Sequence, residues 1–438
     1  MAVTSLRGEV TDLLSRLIRI DTTNPPGTET AAAELLRDYL EASGVECELY
    51  ARVPERASLV ARIHGSGDGP SLLLLSHTDV VLADPSEWTA PPFSGEVRDG
   101  EAWGQTVWGR GALDMKGQVA ANAVALASLA REGFRPAGDL IFAATADEEV
   151  GDGFGLSWLC DAHPDAVRCD YAINEGAGDR LDLGGSIYYI CSAAEKKTAP
   201  FTIRVHGRSG HASMPGIADN ALVKAARLVE RLAAYVPEPQ VQQEVEAFLR
   251  AVLGEVPPAT SVLERARAVH PLAAELVEPL LAPTFAPTMI SASQKRNVIP
   301  ALCVIGVDCR LLPGQNPAEV AGLVREILGD DVSYDVDWLE AEGGTRSALD
   351  TPLWDAVAAF VAETEPDARA VPICTAGFTD SHWLREAFGT VAYGFFPVRS
   401  MPAAVLAQLI HSADERIPVD DLELAVDWLR FAARAVCG

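Results

Sequence analysis

His77 and Asp79 close the apolar run LLLLSHTDVV, Asp114 sits in GRGALDMKG, Glu148 and Glu149 follow LIFAAT, Glu175 follows YAIN, and His411 lies in LIHSADERIP. Two imidazoles and several carboxylates delivered in this way make the donor set of a two-metal site. A lone histidine is usually an ordinary core or surface residue. Here one pattern repeats, because LLLLS, LIFAAT and YAIN read as buried strands whose C-terminal ends each carry an ionisable side chain. Open α/β sheets bind ligands at that edge. Imidazole plus carboxylate without thiolate suits Zn²⁺, with Co²⁺ or Mn²⁺ as alternatives, whereas an all-oxygen set would favour Mg²⁺ or Ca²⁺.

The donors divide between two ions as one histidine and one terminal carboxylate each, with a shared carboxylate bridging. Asp114 is the natural bridge: Gly109, Gly111 and Gly117 around it allow close backbone approach. Ions paired about 3.5–4 Å apart clamp a reacting carbonyl and lower the pKa of a shared water. Asp79 follows His77 by two residues, which on an extended segment puts both side chains on one face. Its carboxylate can then reach the imidazole nitrogen turned away from metal, so we read it as supporting a ligand and not as one itself. Glu148 and Glu149 are adjacent and point different ways, so one is expected to bind metal and the other to remain free as a general base.

The elements that must present these groups follow from the same patterns. At 438 residues the chain exceeds the usual single-core size of about 250–300 residues, so two domains are expected. Helices over residues 31–42 and 116–131 alternate with strands over 72–75 and 140–145, giving a face-covered α/β sheet. After EKKTAP the composition changes: FTIRVHG alternates like a half-exposed strand and leads through GHASMP into a helix over 221–233. A smaller α+β domain is therefore inserted, and because His411 must meet His77 the last part of the chain completes the first domain. The expected division is 1–194 and 309–438 for the metal-binding domain and 195–308 for the insert, with hinges near 193–196 and 308–313.

The net charge of −27 disfavours nucleic acid and anionic membrane as partners. Eight cysteines without CxxC spacing read as reduced thiols. The N-terminal stretch through NPPG reads as an amphipathic helix, not a signal peptide, and no run approaches the roughly 20 apolar residues of a membrane span, so a cytoplasmic location is the default expectation.

The segments SHTDVV, WGRGALDMKG, ATADEEVG, INEG, HGRSGHASMP, NVIP, DCRLLPG and HSADERIP occur in the order seen in the aminoacylase, acetylornithine deacetylase, succinyl-diaminopimelate desuccinylase and glutamate carboxypeptidase family of two-zinc amidohydrolases, which the chain resembles along essentially its whole length. The resemblance implies that His77, Asp114 and Glu175 hold one zinc, that Asp114, Glu149 and His411 hold the other, and that Glu148 is the base. It implies a homodimer whose insert serves for dimerisation and as a lid, with His211 reaching the other subunit's active site to stabilise an oxyanion. It also implies that Arg310 and Asn297 grip a substrate carboxylate, although Arg310 has Asp308 as a competing partner. The expected activity is hydrolysis of the amide bond of N-acyl amino acids, with a dipeptidase or carboxypeptidase as the alternative and a non-catalytic metal-binding scaffold as the remote one. WTAPPFSGEV and YGFFPV resemble the aminoacylase and carboxypeptidase branch more than the desuccinylase branch. Two departures stand out: DGEAWGQTVWGRG is longer than the family's DGxxWGRG, and AGFTDSHWLR places His382 where it is either a substrate contact or a surface residue. His64, His163, His206 and His270 read as structural or exposed.

Overall fold

The computed structural model describes residues 5–438. The chain forms two compact units, one from Met1–Ala193, Ser347–Ile373 and Thr379–Gly438, the other from Ala194–Arg346 and Cys374–Phe378. The first is built on a nine-stranded mixed sheet in the order Glu46–Ala51, Ala57–Ile63, Leu140–Thr145, Leu72–His77, Tyr171–Asn174, Val391–Gly394, Ser186–Glu195 and Ala368–Thr375, with Arg180–Leu183 paired to Ser186–Glu195. Its central four strands are parallel, and Leu72 stands opposite both Leu140 and Tyr171 while Val391 also faces Tyr171. That register brings their C-terminal ends to one edge.

Side chains alternate across these strands, so the apolar runs serve two cores. Leu72, Leu74, Leu140, Phe142 and Ile173 pack with helices Leu6–Ile18, Lys116–Arg131 and Val419–Cys437, while Leu73, Leu75, Ile141 and Ala143 pack with Leu156–Ala162 and Ser381–Phe388. The helix Lys116–Arg131 is buried over nearly its whole circumference, which its run of alanines, strong helix formers with small side chains, makes possible. The long segment before Asp114 is no open loop. It is a hairpin, Glu96–Glu101 with Gly104–Trp108, extended by Arg416–Pro418, so the ladder ties the chain before Asp114 to the chain after His411.

In the second unit, Tyr334–Trp338, Phe201–His206 and Leu302–Leu311 form an antiparallel sheet, joined by Lys197–Thr198, Glu342–Gly343 and Thr284–Ser291. Helices Ala221–Ala234 and Pro317–Leu328 cover one face, burying Ala225, Leu228, Val320 and Val324 against Ile203, Val205, Ile305 and Val307. The unit extends to Arg346 and does not end at the expected boundary of 308. Alternate burial continues unbroken from Cys303 through Leu311, so DCRL is the end of a central strand and residues 317–343 complete its sheet and core.

All eight cysteines are free, six of them buried. No helix among the described residues is long and apolar enough to cross a membrane.

Candidate metal centre

The parallel strand ends converge on the acids and histidines. His77 is the last residue of its strand and is buried; its Nε2 lies 3.2 Å from Asp114 Oδ1, 3.7 Å from Glu175 Oε1 and 4.0 Å from Glu148 Oε2. Asp114 turns its other oxygen to His411, whose Nε2 is 2.9 Å from Oδ2 and 3.3 Å from Glu149 Oε2. His77, Asp114 and Glu175 thus offer ligand atoms within 4.8 Å of one another, and so do Asp114, Glu149 and His411. Asp114 is common to both groups, one oxygen to each.

The chemistry of the site without a metal tests whether cations fit it. Burial raises the Glu148 pKa well above the carboxylate range, reinforced by the charge of Glu175. Glu175 is pushed up to about 8, first by burial and then by Asp114. His411 is raised to about 10 by hydrogen bonding to Asp114 and then Glu149. Burial opposes the charge on His77, but Asp114 and Asp79 outweigh it and the imidazole holds its proton well above the usual range. Protons collect wherever a cation would sit. Glu149 Oε1 is moreover buried without a hydrogen-bond partner, an expensive state for a carboxylate unless a cation meets it. The residues present therefore fit two divalent ions, with imidazole and carboxylate donors and no thiolate.

Asp79 is fully buried and sits behind these candidate ligands. Its Oδ1 accepts the Glu148 amide and its Oδ2 the Glu149 amide, each at 3.1 Å, so one carboxylate pins the backbone of both glutamates. His77 Nδ1 lies 3.0 Å from the Asp79 backbone oxygen and 3.4 Å from its Oδ1, so the main chain shares the role expected of the side chain.

A model of peptidase family M20/M25/M40 matches residues 73–435. The chain belongs to this family. Its relatives include a succinyl-diaminopimelate desuccinylase of Paracoccus denitrificans, 34% identical over 351 residues and covering 77% of this chain and 85% of the relative. The N-fatty-acyl-amino acid synthase/hydrolase PM20D1 of Bos taurus is 29% identical over 389 residues, covering 83% and 74%. Among solved structures, an M20 family metallo-carboxypeptidase, Sso-CP2 of Sulfolobus solfataricus, superposes with a TM-score of 0.71 over 98% of this chain and 99% of its own at 17% identity, which shows the shared fold. The M20 chain described here is a metal-dependent hydrolase of amide or peptide bonds. Its relatives span the desuccinylase and acyl-amino-acid branches, so the segment likenesses that favoured one branch do not choose between them.

His211, Asn297 and Arg310 belong to the second unit. There the exposed His211 pairs with Val298, and the Ala212 amide donates to the Asn297 carbonyl, so the first two are neighbours. Arg310 donates Nε and Nη2 to the two Asp308 oxygens at 3.0 and 3.1 Å, the competing pair anticipated from sequence. His382 is buried, its Nδ1 2.7 Å from the Thr379 carbonyl, which removes the surface alternative. His206 faces Asp335 in solvent, and His270 caps the helix Pro271–Val277.

Three buried acids and two buried arginines near the candidate ligands escaped sequence reasoning. Glu415 is buried and grips the turn of Asp114 through the amides of Gly111, Leu113 and Asp114 and the guanidinium of Arg110. Asp380, beside His382, accepts from Thr145 Oγ1 at 3.2 Å, and burial raises it to about 7. Asp147 adopts a left-handed φ of 68° immediately before Glu148 and pairs with Arg56. The available signals were the E of HSADERIP, the D of FTDSH and the D of ADEE.

Proposed function

We propose that the protein hydrolyses the amide bond of N-acyl amino acids bearing a free carboxylate, using two divalent ions per chain, with zinc the expected metal. The observation that carries this reading is the sharing of Asp114 between two ligand groups while Glu148, 4.0 Å from His77, belongs to neither. In this reading His77, Asp114 and Glu175 hold one ion and Asp114, Glu149 and His411 the other. Two divalent ions bound by these residues would supply Lewis acidity to the scissile carbonyl and to the attacking water.

The protein's own groups do the rest. Glu148, raised in pKa by burial and by Glu175, takes the proton of the attacking water and returns it to the leaving amine. Asp79 fixes the Glu148 and Glu149 amides, so base and ligand keep a constant separation. In the same reading the second unit dimerises and closes over substrate, the partner subunit's His211 stabilises the developing oxyanion, and Asn297 and Arg310 hold the substrate carboxylate. Arg310 keeps guanidinium N–H groups beyond the two given to Asp308 for that purpose.

A second reading, cleavage of dipeptides or of C-terminal residues from peptides, uses the same core and differs in the acyl-side pocket; the fold shared with a metallo-carboxypeptidase favours it. The test is turnover of N-acetyl, N-fatty-acyl and N-succinyl amino acids against dipeptides by metal-stripped protein given Zn²⁺, Co²⁺ or Mn²⁺, with Glu148→Gln as control. Metal-restored cleavage of acyl amino acids that the variant lacks supports the first reading. Preference for dipeptides selects the second, and two bound metals without turnover of any substrate removes both.

A further inference from the structure

Behind the candidate metal centre lies a buried polar network of which the proposed chemistry uses only Asp79. Arg56 donates Nε and Nη2 to the two oxygens of Glu29, each at 2.7 Å, and Nη2 also to Asp147 Oδ1 at 3.1 Å. Asn24 Nδ2 donates both to that Asp147 oxygen at 3.1 Å and to Asp79 Oδ2 at 2.9 Å. The remaining Asp147 oxygen accepts the Phe154 amide at 2.9 Å, and the Phe154 ring lies 5.0 Å from the Arg56 guanidinium carbon. Asn24, Glu29, Arg56, Asp79 and Asp147 are all buried.

This network ends on the turn that carries Glu148 and Glu149. Asp147 holds a left-handed backbone, φ 68°, uncommon for a residue with a side chain and maintained only where surrounding contacts enforce it. The enforcing contacts are the guanidinium on one carboxylate oxygen, the Asn24 amide beside it and the Phe154 N–H on the other. The next two amides, of Glu148 and Glu149, then point at Asp79. The cradle is shaped for a guanidinium: Gly27, at φ 77°, lies so near that a Cβ there would stand 2.2 Å from the Arg56 guanidinium carbon. A lysine would supply the charge without the planar fork that spans Glu29 and Asp147 at once.

We infer that Arg56 is a positioning residue: acting through Asp147 and Asn24, it sets the turn that aims Glu148 as base and Glu149 as ligand. This rests on the roles proposed above for those two glutamates. Arg56 touches neither of them, so its removal changes their aim and leaves their chemistry intact. Glu149 belongs to only one ligand group, so one metal should weaken while the other, held by His77, Asp114 and Glu175, stays.

The test compares Arg56→Met, Arg56→Lys and Asn24→Ala with the full-length wild type. Zn²⁺ affinity is read by calorimetry, and kcat and KM on whichever substrate the panel yields. The expected result for both Arg56 variants is a kcat lower by about 10–100-fold with KM within about twofold, and weakening of one of two zinc sites, as for other groups that orient metal ligands. A merely structural role would lower the folded fraction and leave both zinc affinities and the kcat of the folded protein unchanged, and that outcome overturns the inference. So does full recovery in Arg56→Lys, which would make charge alone sufficient. Should the Arg56 variants not fold, Asn24→Ala decides: it removes only the amide bridging Asp147 to Asp79, and wild-type kcat with two wild-type zinc affinities would refute the positioning role. If the wild type binds two zinc ions but turns over no substrate, the functional reading fails alone, because selective weakening of one site still tests Arg56.

Discussion

Replacing Glu415 by glutamine tests whether the turn of Asp114 depends on a single buried anion. Glu415 Oε1 accepts the Leu113 amide at 2.7 Å and the Asp114 amide at 3.0 Å; Oε2 accepts Arg110 Nη1 at 2.7 Å and the Gly111 amide at 3.1 Å. Four donors converge on two oxygens with no water-exposed surface. Glutamine has nearly the same shape but only one oxygen, so either orientation of its amide sets an NH₂ against two buried donors. Two unsatisfied buried donors cost about 1–3 kcal/mol each, and breaking one side of a buried ion pair costs about 3–5 kcal/mol. These overlap here, so a loss of about 3–5 kcal/mol is expected, or roughly two to four powers of ten in the folding equilibrium. Urea unfolding followed by circular dichroism, with zinc held in excess, measures it. Because Asp114 serves both ligand groups, calorimetry should show both zinc affinities falling together, whereas His411→Ala should weaken only one. A Glu415→Gln protein within about 1 kcal/mol of wild type, or one losing a single site, would refute the reasoning.

Gly394 faces Asn174 across the sheet, and a Cβ there would lie 2.0 Å from the Glu175 carbonyl oxygen; Gly394→Ala should displace Glu175, weaken the His77 site and lower kcat by about tenfold or more, and unchanged zinc affinity would count against it. Burial pushes the Asp179 carboxyl up to about 6. A folded pKa above the unfolded one means that its stabilising contribution is complete below the ordinary aspartate range and lost as pH rises through about 6. Asp179→Asn should therefore raise the thermal midpoint at pH 8 and leave it unchanged near pH 3.5, and equal shifts at both pH values would rule this out. Stripping the metals should lower the midpoint of the wild type, with recovery on adding two equivalents of Zn²⁺; a midpoint indifferent to chelation would mean that the clustered carboxylates bind no structural cation.

The donor set was legible because its members sit at discontinuities of pattern. LLLLSH and LIFAATADEE change from apolar to ionisable within two residues, and in a parallel sheet covered on both faces that change marks the strand end. The far limit of the second unit was not legible, because LCVIGVDCRL is one uninterrupted alternating strand and DCRLLPG shows only where it stops. Glu415, Asp380 and Arg56 were missed for another reason. A charged residue in a sequence is by default a solvated one, and only the surrounding donors and acceptors show it to be buried and paired. Gly27 in NPPG carried a trace of Arg56, since a glycine at positive φ marks close approach, but not of what approaches.

The buried charges around the centre also explain why its geometry can persist before metal arrives. Glu148, Glu175 and Asp380 would repel one another if all were ionised, and Glu149 leaves an oxygen unpaired, so until a cation arrives the cluster is held together by the protons that its raised pKa values retain. Alongside those protons stands a set of supports that do not themselves face the ions: Asp79 on the glutamate turn, Glu415 with Arg110 on the Asp114 turn, and Glu29 with Arg56 behind Asp147. Each support is a carboxylate met by amides or a guanidinium; the first two hold backbone directly and the third holds the Asp147 side chain, so the metal-facing side chains remain free for a cation. The strain of like charges is thus confined to the few atoms that a metal would neutralise, and binding need not first reorganise the turns that present them.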